Sequence, residues 1–204
     1  SGLVLIAGPT GSGKTTTLFS VLNELKDISK NIVTIEDPVE YRLPLVNQIE
    51  VNEKAGLDFS TLCRSLLRQD SDVILMGEIR DSESAKLAVQ SALVGTLLLS
   101  TIHSDTSINV VARLLNMGVD RLWLGSVLAG IIAQRLVRKI CTHCKVAHQP
   151  KPELLQLIGL DNSQTFYKGA GGKVCMGTGY LGRLCISEVI VVTSKLKEGI
   201  YDAK

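Results

Sequence analysis

A glycine-rich segment at residues 8–15 limits the folds open to this chain more than any other feature. It reads Gly-Pro-Thr-Gly-Ser-Gly-Lys-Thr, follows an apolar run at residues 3–7 and precedes a stretch with helical character. This is the pattern G-x-x-x-x-G-K-[ST] of a phosphate-binding loop, in the strand–loop–helix context that the pattern requires. Glycines let successive backbone N–H groups face one anion, and the helix N-terminus adds partial positive charge.

The segment therefore predicts a site for ATP or GTP. The alternative is a chance glycine-rich turn, which would not be expected to match every fixed position and both flanks. Lys14 is expected to reach the β- and γ-phosphates, and the Thr15 hydroxyl to ligate Mg²⁺. The predicted nucleotide-binding residues of this segment are Gly8, Pro9, Thr10, Gly11, Ser12, Gly13, Lys14, Thr15 and Thr16.

The composition favours a sheet that is buried on both faces. Apolar residues make up 45% of the 204 positions and aromatic residues only 4%, so aliphatic side chains must build the core, as in parallel sheets. A net charge of +2 is too small to argue for binding to nucleic acid or to an anionic membrane. No apolar stretch reaches the roughly 18 residues that span a bilayer, and no signal peptide is visible. We therefore expect a cytoplasmic protein, or one that reaches a membrane through partners. We also expect it to be part of a longer protein, since the sequence starts at its first predicted strand.

Apolar periodicity predicts alternating strands and helices, and hence a mainly parallel sheet flanked by helices with ligands at the carboxyl ends of its strands. The predicted strands cover residues 3–7, 32–36, 73–76, 97–101, 134–140 and 184–192, with an edge strand near 46–51. The predicted helices cover residues 15–26, 58 or 60 to 68, 82 or 84 to 94, 107–116, 121–133 and 153–158. The predicted domains are a nucleotide-binding core at 1–140, a small cysteine-containing subdomain at 141–183, and a C-terminal strand and tail at 184–204.

Three carboxylates follow the predicted strand at 32–36, where they would face a nucleotide. Glu36, Asp37 and Glu40 can position a water, or a water bound to Mg²⁺, beside the γ-phosphate. The competing interpretation is an acidic, solvated turn with no catalytic role. The residues by themselves favour the solvated turn.

Two further side chains follow neighbouring predicted strands. Glu78 comes after the apolar strand at 73–76, with Gly77 at the position where the second strand of a nucleotide site usually carries an aspartate. Glu78 is expected to act on Mg²⁺ through a water. His103 follows the strand at 97–101 and can sense the γ-phosphate or hydrogen-bond the catalytic acid, although a histidine at a strand end is more often structural. Five arginines are candidates for stabilising the phosphoryl group during its transfer: Arg64, Arg68, Arg80, Arg113 and Arg135. The alternative is that they are ordinary surface residues.

The cysteines indicate a metal site that is incomplete in sequence. Cys141 and Cys144 form a C-x-x-C knuckle, and Cys175 can supply a third ligand for tetrahedral zinc. A second complete knuckle would place a cysteine at position 172, where this chain has Gly172. The fourth ligand is unknown: His143, His148 or Cys185 completes the set, or the thiols are free.

Taken together, these segments resemble the ATPases of type II secretion and type IV pilus assembly, which belong to the secretion superfamily. The similarity covers residues 2–190. The matching segments are residues 8–17, 34–41, 66–81, 97–103, 133–144 and 178–183. The cysteine knuckle and the run Gln134-Arg135-Leu136 favour the assembly or secretion branch over the retraction branch.

The resemblance implies a RecA-like P-loop nucleoside triphosphatase fold and a homo-hexamer that hydrolyses ATP on the cytoplasmic face of the inner membrane. The partners it implies are an inner-membrane platform protein and associated cytoplasmic membrane-bound assembly proteins, with no nucleic acid. It makes Glu40 the catalytic carboxylate that orients water, Glu78 the atypical Walker B acid and His103 the histidine of the His box. It places Arg64 and Arg68 in a helix that bridges to phosphate or to a neighbouring subunit.

The chain departs from the family pattern in three places: Thr96, the run Ser104-Asp105-Thr106 after His103, and Gly172. Thr96 and Gly172 motivate one alternative function, a non-catalytic nucleotide-binding subunit of a mixed ring. A second alternative is a nucleic-acid-translocating ATPase of the conjugation type. Near-neutral charge and few aromatic residues argue against it, because single-strand channels need basic grooves and stacking rings.

Overall fold

The computed structural model describes residues 1–161 and 163–202 as an α/β structure. The strands are β1 Gly2–Ala7, β2 Ile32–Glu36, β3 Asn47–Glu50, β4 Val73–Ile79, β5 Leu97–Ile102, β6 Leu128–Ile140, β7 Lys145–His148, β8 Phe166–Gly169 and β9 Tyr180–Val191. The helices are α1 Lys14–Leu25, α2 Phe59–Leu66, α3 Ser82–Leu93, α4 Ser107–Asn116, α5 Arg121–Val127, α6 Pro152–Leu157 and α7 Ser194–Asp202. Within this described part, no helix combines the length and hydropathy that a membrane span needs.

Seven strands form the main sheet, in the order β3-β2-β4-β5-β1-β6-β9. The pairs β3–β2, β2–β4, β4–β5, β5–β1 and β1–β6 are parallel. This confirms the predicted fold class, a mainly parallel sheet flanked by helices, and the predicted edge strand. Because parallel strands end at one edge of a sheet, the segments after β1, β4 and β5 come together there.

The sheet separates two apolar cores, since successive side chains of a strand point to opposite faces. Leu3 and Leu5 of β1 belong to a large core that includes residues of α2, α3, α4 and α5. Ile6 points the other way and packs in a smaller core with Leu18 and Phe19 of α1. Helices on both faces explain why the strands are continuously apolar.

The predicted helix at 121–133 is wrong in its second half. Helix α5 ends at Val127, and the chain turns extended at Leu128 to begin β6. From there β6 runs beside β1, with Gly130 opposite Val4 and Ile132 opposite Ile6. A continuous apolar run suits a buried helix or a buried strand equally well, and pairing with β1 decides for the strand. Strands β7 and β8 and helix α7 were not predicted.

The chain divides into two compact units. The first contains residues 1–135 and the chain from Ser187 onward, and the second contains residues 136–186. The second unit holds the antiparallel pair β7–β8, with Lys145 opposite Gly169, the short helix α6 and three of the cysteines. Sequence analysis predicted 141–183 for the corresponding subdomain.

Candidate active site

The phosphate-binding loop joins the end of β1 to the start of α1. Gly8, Gly11 and Gly13 have φ angles of +150°, +76° and +88°, which other residues rarely adopt. A Cβ atom on Gly8 would lie 2.5 Å from both the Gln134 carbonyl oxygen and the Ser12 Oγ. The backbone conformation therefore favours glycine at all three positions. At Gly8, close packing against the end of β6 also leaves no room for a side chain.

The groups around this loop fit an anion. Helix α1 starts at Lys14 with no side-chain cap on its N-terminus and no acidic residue in its first turn. The Ser12 hydroxyl is buried and has no hydrogen-bond partner in the described chain. The Lys14 ammonium donates to the carbonyl oxygens of Gly8 at 2.9 Å and Pro9 at 3.1 Å. Burial lowers the pKa of Lys14, and the nearby Glu78 carboxylate opposes this change. Bound phosphate would give these donors the negative partner that they lack.

The remaining predicted loop residues lie around the same turn. Thr15 is half-buried in the first turn of α1, whereas Thr16 is exposed. Pro9 and Thr10 are exposed at the top of the loop. The Thr15 hydroxyl makes no hydrogen bond among the contacts found in the described residues, and its role as an Mg²⁺ ligand stays a prediction.

The pair of Glu78 and His103 lies at the ends of the adjacent strands β4 and β5. The His103 Nε2 is 3.0 Å from the Glu78 Oε1, and the Arg80 Nε donates to the Glu78 Oε2 at 2.9 Å. The Arg80 guanidinium also lies 3.7 Å from Asp37. Sequence analysis predicted the first two as site residues but offered Arg80 only for contact with phosphate. In the structure Arg80 instead pairs with the Glu78 carboxylate.

A bulge in β4 aims Glu78 at this position. Met76 is opposite Ser100 and Ile79 is opposite Ile102, so three steps on β4 match two on β5. The Thr101 hydroxyl donates to the Gly77 carbonyl oxygen at 2.8 Å within the bulge. Bulges commonly redirect a side chain beside a functional site. Met76 and Ile79 both pack in the large core, whereas Glu78 lies outside it at the end of the strand, where it contacts His103 and Arg80.

The other predicted acids lie apart from this pair. Glu36 is buried and accepts hydrogen bonds from Thr34 at 2.6 Å and Gln48 at 2.9 Å, which gives it a structural role. Glu40 is exposed, and none of the contacts found for the described residues joins it to Glu78 or His103. Its catalytic role stays a prediction.

The two predicted arginines of this region are both exposed: Arg64 lies in α2, and Arg68 lies in the turn after it. Arg64 forms an ion pair with Glu83 at the start of α3. Arg68 is exposed, and within the described chain it makes no ion pair. Neither contacts the phosphate-binding loop in the structure, so their roles toward phosphate or a neighbouring subunit stay predictions.

A cavity of about 560 Å³ opens beside the first residues of the loop. Its walls include Gly8, Pro9 and His103, and, on α4, Asn109 and Arg113. Sequence analysis named Arg113 among the candidate arginines but had no means to place α4 here. The position follows from the strand order, because the connection from β5 to α4 starts at the edge where β1 ends.

The second unit carries a cluster of three thiols. The Sγ atoms of Cys141, Cys144 and Cys175 all lie within 4.8 Å of one another, and those of Cys144 and Cys175 are 3.7 Å apart. Thiolates bound tetrahedrally at about 2.3 Å from zinc stand roughly 3.8 Å apart, so the spacing fits this metal. Burial raises the pKa of Cys144. Although burial acts in the same direction on Cys175, the Gly179 N–H and the neighbouring thiol lower its pKa to about 7.

No fourth ligand joins the three cysteines among the described residues. A Cβ atom on Gly172 would lie 3.7 Å from the Cβ of Cys144, so position 172 faces the cluster without offering a ligand. Cys185 is exposed and outside the group. The structure thus brings together the three predicted thiols and leaves the fourth position without a side chain.

Comparisons with known proteins point to one family. The sequence model described as "Type II/IV secretion system protein" matches residues 1–204. The type IV pilus assembly ATPase PilB of Thermus thermophilus is 46% identical over 207 residues, covering 100% of this chain and 23% of that protein. A putative type II secretion system protein E of Escherichia coli is 44% identical over 203 residues, covering 98% of this chain and 41% of that protein.

A solved structure shows the same fold. The pilus retraction motor PilT, crystallised with bound ADP, aligns with a TM-score of 0.73 at 30% identity, covering 98% of this chain and 50% of that one. This chain therefore spans half or less of the length of the proteins it matches. Because the family model covers every residue of the sequence, the resemblance seen in its motifs is confirmed, and the chain belongs to the type II/IV secretion system protein family.

Proposed function

We propose that this chain is the ATP-hydrolysing part of a motor that assembles a type IV pilus or a type II secretion pseudopilus. One observation carries the proposal: the phosphate-binding loop and the pair of Glu78 and His103 meet at one edge of the sheet. Lys14 is close enough to Glu78 for the carboxylate to affect its pKa. The biological setting is supported by two relatives at 44–46% identity, a type IV pilus assembly ATPase and a putative type II secretion system protein E.

The chemistry follows from the groups at this edge. Lys14 and the backbone N–H groups of the loop bind the phosphates, while Thr15 and Glu78 hold Mg²⁺, Glu78 through a water. When bound, Mg²⁺ neutralises charge that develops on the phosphates. His103 and Arg80 contact the two oxygens of Glu78 and so orient its carboxylate. Glu40 is the carboxylate proposed to orient the attacking water.

The assembly proposed for the whole protein is a homo-hexamer at the cytoplasmic face of the inner membrane. Its partners are a membrane platform protein and the associated cytoplasmic assembly proteins. The exposed Arg64 and Arg68 are proposed to reach phosphate or a neighbouring subunit in that ring. Support comes from the relatives of this chain, which include a pilus assembly ATPase and a type II secretion protein.

We also propose that Cys141, Cys144 and Cys175 hold zinc. The spacing of the three sulfur atoms supports this, and the metal, when bound, supplies cross-links to a unit with little apolar core of its own. Cys175, whose thiol is already acidic, would lose its proton most easily of the three.

The test is ATP hydrolysis by the full-length protein, with oligomer size followed by light scattering. We expect Glu78→Gln and Glu40→Gln each to lower turnover by about a hundredfold or more while ATP still binds. Lys14→Ala should abolish binding itself. Glu24→Gln, on an exposed position of α1, is the matched control and should keep full turnover.

Two outcomes would overturn the proposal. ATP binding with no turnover by the wild-type hexamer would indicate a non-catalytic ring subunit. Turnover that rises strongly with single-stranded DNA, and binding to DNA that weakens as salt is added, would indicate a nucleic-acid translocase.

A further inference from the structure

Gln134, at the end of the first unit's part of β6, is buried against the phosphate-binding loop. Its side chain contacts the loop and the first turn of α1: the amide Nε2 donates to the Ser12 carbonyl oxygen at 2.9 Å, and the Oε1 accepts from the Thr17 hydroxyl at 3.0 Å. Only 3% of Gln134 is exposed, and its bond to Ser12 is buried. A buried polar side chain with both ends paired has one favourable orientation and few others.

The bond to Ser12 controls which way a backbone N–H points. In a trans peptide the carbonyl oxygen and the following N–H point in opposite directions. Because Gln134 holds the Ser12 carbonyl oxygen, the N–H of Gly13 points to the side of the loop away from β6. That is the direction in which a phosphate-binding loop presents its donors.

The backbone of β6 limits the loop as well. The Gln134 carbonyl oxygen lies so close to Gly8 that a Cβ there would be 2.5 Å away. The loop is thus fixed at its first residue by contact with the Gln134 backbone and at its middle by the Gln134 amide.

Arg135, the next residue of β6, contacts the loop that follows His103. The Arg135 guanidinium pairs with the Asp105 carboxylate at 3.0 Å, two residues after His103. Consecutive strand residues point to opposite sides, so Gln134 faces the phosphate-binding loop while Arg135 faces the loop after His103. The Arg135 side chain is 52% exposed, and an exposed ion pair contributes little, so Gln134 is the stronger of the two contacts.

We propose that Gln134 is a positioning residue that keeps the phosphate-binding loop in its anion-ready conformation before nucleotide binds. This inference rests on the proposed function in one respect only: the ligand is a nucleoside triphosphate. Preorganisation lowers the entropic cost of binding, so Gln134 acts on nucleotide affinity rather than on the chemical step.

The test compares Gln134→Met with wild type in the full-length protein. Methionine has similar length and cannot make either hydrogen bond. We expect the dissociation constant of a non-hydrolysable ATP analogue to rise about tenfold, since two buried bonds are lost. Amide hydrogen exchange at residues 11–14 should become faster in the nucleotide-free protein. The KM for ATP should rise, while kcat at saturation stays within about a factor of three.

Two further variants separate positioning from general destabilisation. Thr17→Val and Gln134→Met each remove the hydrogen bond between these two side chains. The double variant should therefore raise the dissociation constant by less than the product of the two single fold-changes. Ser91→Ala removes a buried hydroxyl that bonds only to Leu87 within α3, and should leave the affinity unchanged. Unchanged affinity in Gln134→Met, or faster exchange spread evenly over the first unit, would overturn the inference.

The result is independent of whether the protein hydrolyses ATP. Binding of the non-hydrolysable analogue and hydrogen exchange need no turnover, so a wild-type protein that binds without hydrolysis defeats the proposed function and leaves this inference testable. If Lys14→Ala does not weaken binding, the analogue is bound elsewhere, and both the site and the role of Gln134 are overturned.

Discussion

The charge of Lys14 depends on its surroundings at the phosphate-binding loop. Its ammonium contacts two backbone carbonyl oxygens and is partly removed from water. Burial lowers its pKa, and Glu78 only partly offsets this. A bound phosphate would favour the charged ammonium and raise the pKa again. Proton binding by Lys14 and nucleotide binding are therefore linked.

The linkage predicts proton uptake at alkaline pH. In the free protein Lys14 loses its proton below the usual lysine pKa of about 10.4, and in the complex it keeps it. Between the two pKa values nucleotide binding must take up a proton, so affinity falls as pH rises through the pKa of the free protein. At neutral pH Lys14 is charged in both states and no uptake occurs. Calorimetry of analogue binding in buffers with different ionisation heats, at neutral and alkaline pH, measures this uptake.

The matched control for this prediction is Lys54→Met, at an exposed position outside the site. It should leave the proton uptake unchanged. Equal heats in all alkaline buffers for the wild-type protein would contradict the prediction.

At the scale of elements, β4 is the strand on which the site depends most. It lies between β2 and β5, and its bulge is what turns Glu78 toward His103. Gly77 sits in that bulge, where a Cβ would lie 3.1 Å from the carbonyl oxygen of Ile35 in β2. The missing aspartate at position 77 is thus explained by packing, since a side chain there would push two paired strands apart.

Gly77→Ala is therefore expected to lower the free energy of unfolding by about 1–3 kcal/mol, as overpacking does. Turnover should fall as well, because displacement of β4 moves Glu78 away from His103. Gly199→Ala is the matched control, because an added Cβ in this position of α7 meets nothing within 4 Å. It should raise the free energy of unfolding by about 0.5–1 kcal/mol. Urea denaturation measures both, and a Gly77→Ala protein as stable as wild type would contradict the packing argument.

At the scale of the whole molecule, the two compact units are stabilised in different ways. The first has two large apolar cores on either side of a seven-stranded sheet. In the described part of the second unit, the buried apolar residues are Cys141, Leu155 and Cys175. Two of these three are candidate metal ligands. Units with so little core commonly depend on a metal or on disulfides.

Removal of metal should therefore loosen the second unit and spare the first. After treatment with a chelator, amide hydrogen exchange is expected to accelerate at residues 136–186, with little change at residues 1–135. Metal analysis of the untreated protein should give about one zinc ion per chain. Cys144→Ser should reproduce the effect of the chelator, whereas Cys185→Ser, at an exposed thiol outside the cluster, should not.

Gly172→Cys tests whether the cluster can bind metal through a fourth thiolate, because the added Cβ would lie 3.7 Å from the Cβ of Cys144. Cobalt substitution should change from the spectrum of three thiolates to that of four, with tighter metal binding. A chain that binds no metal in either form, with exchange at 136–186 unaffected by chelator, would show that the thiols are free.

The sequence by itself determined what depends on short-range patterns. The phosphate-binding loop, the alternation of strands and helices up to α4, the fold class and the family all follow from motifs whose residues are adjacent or regularly spaced. Glycine backbone freedom and apolar periodicity act over a few residues, so they can be read without knowing the fold.

Only the tertiary structure decided what depends on contacts between distant segments. Pairing with β1 turned half of a predicted helix into β6. Strand order brought His103 to Glu78, and the return of the chain brought Gln134 against Ser12. The same long-range packing put Gly172 opposite Cys144. These outcomes are set by which strands become neighbours, and a local pattern carries no information about that choice, because the free energy comes from burial shared by residues far apart in the chain.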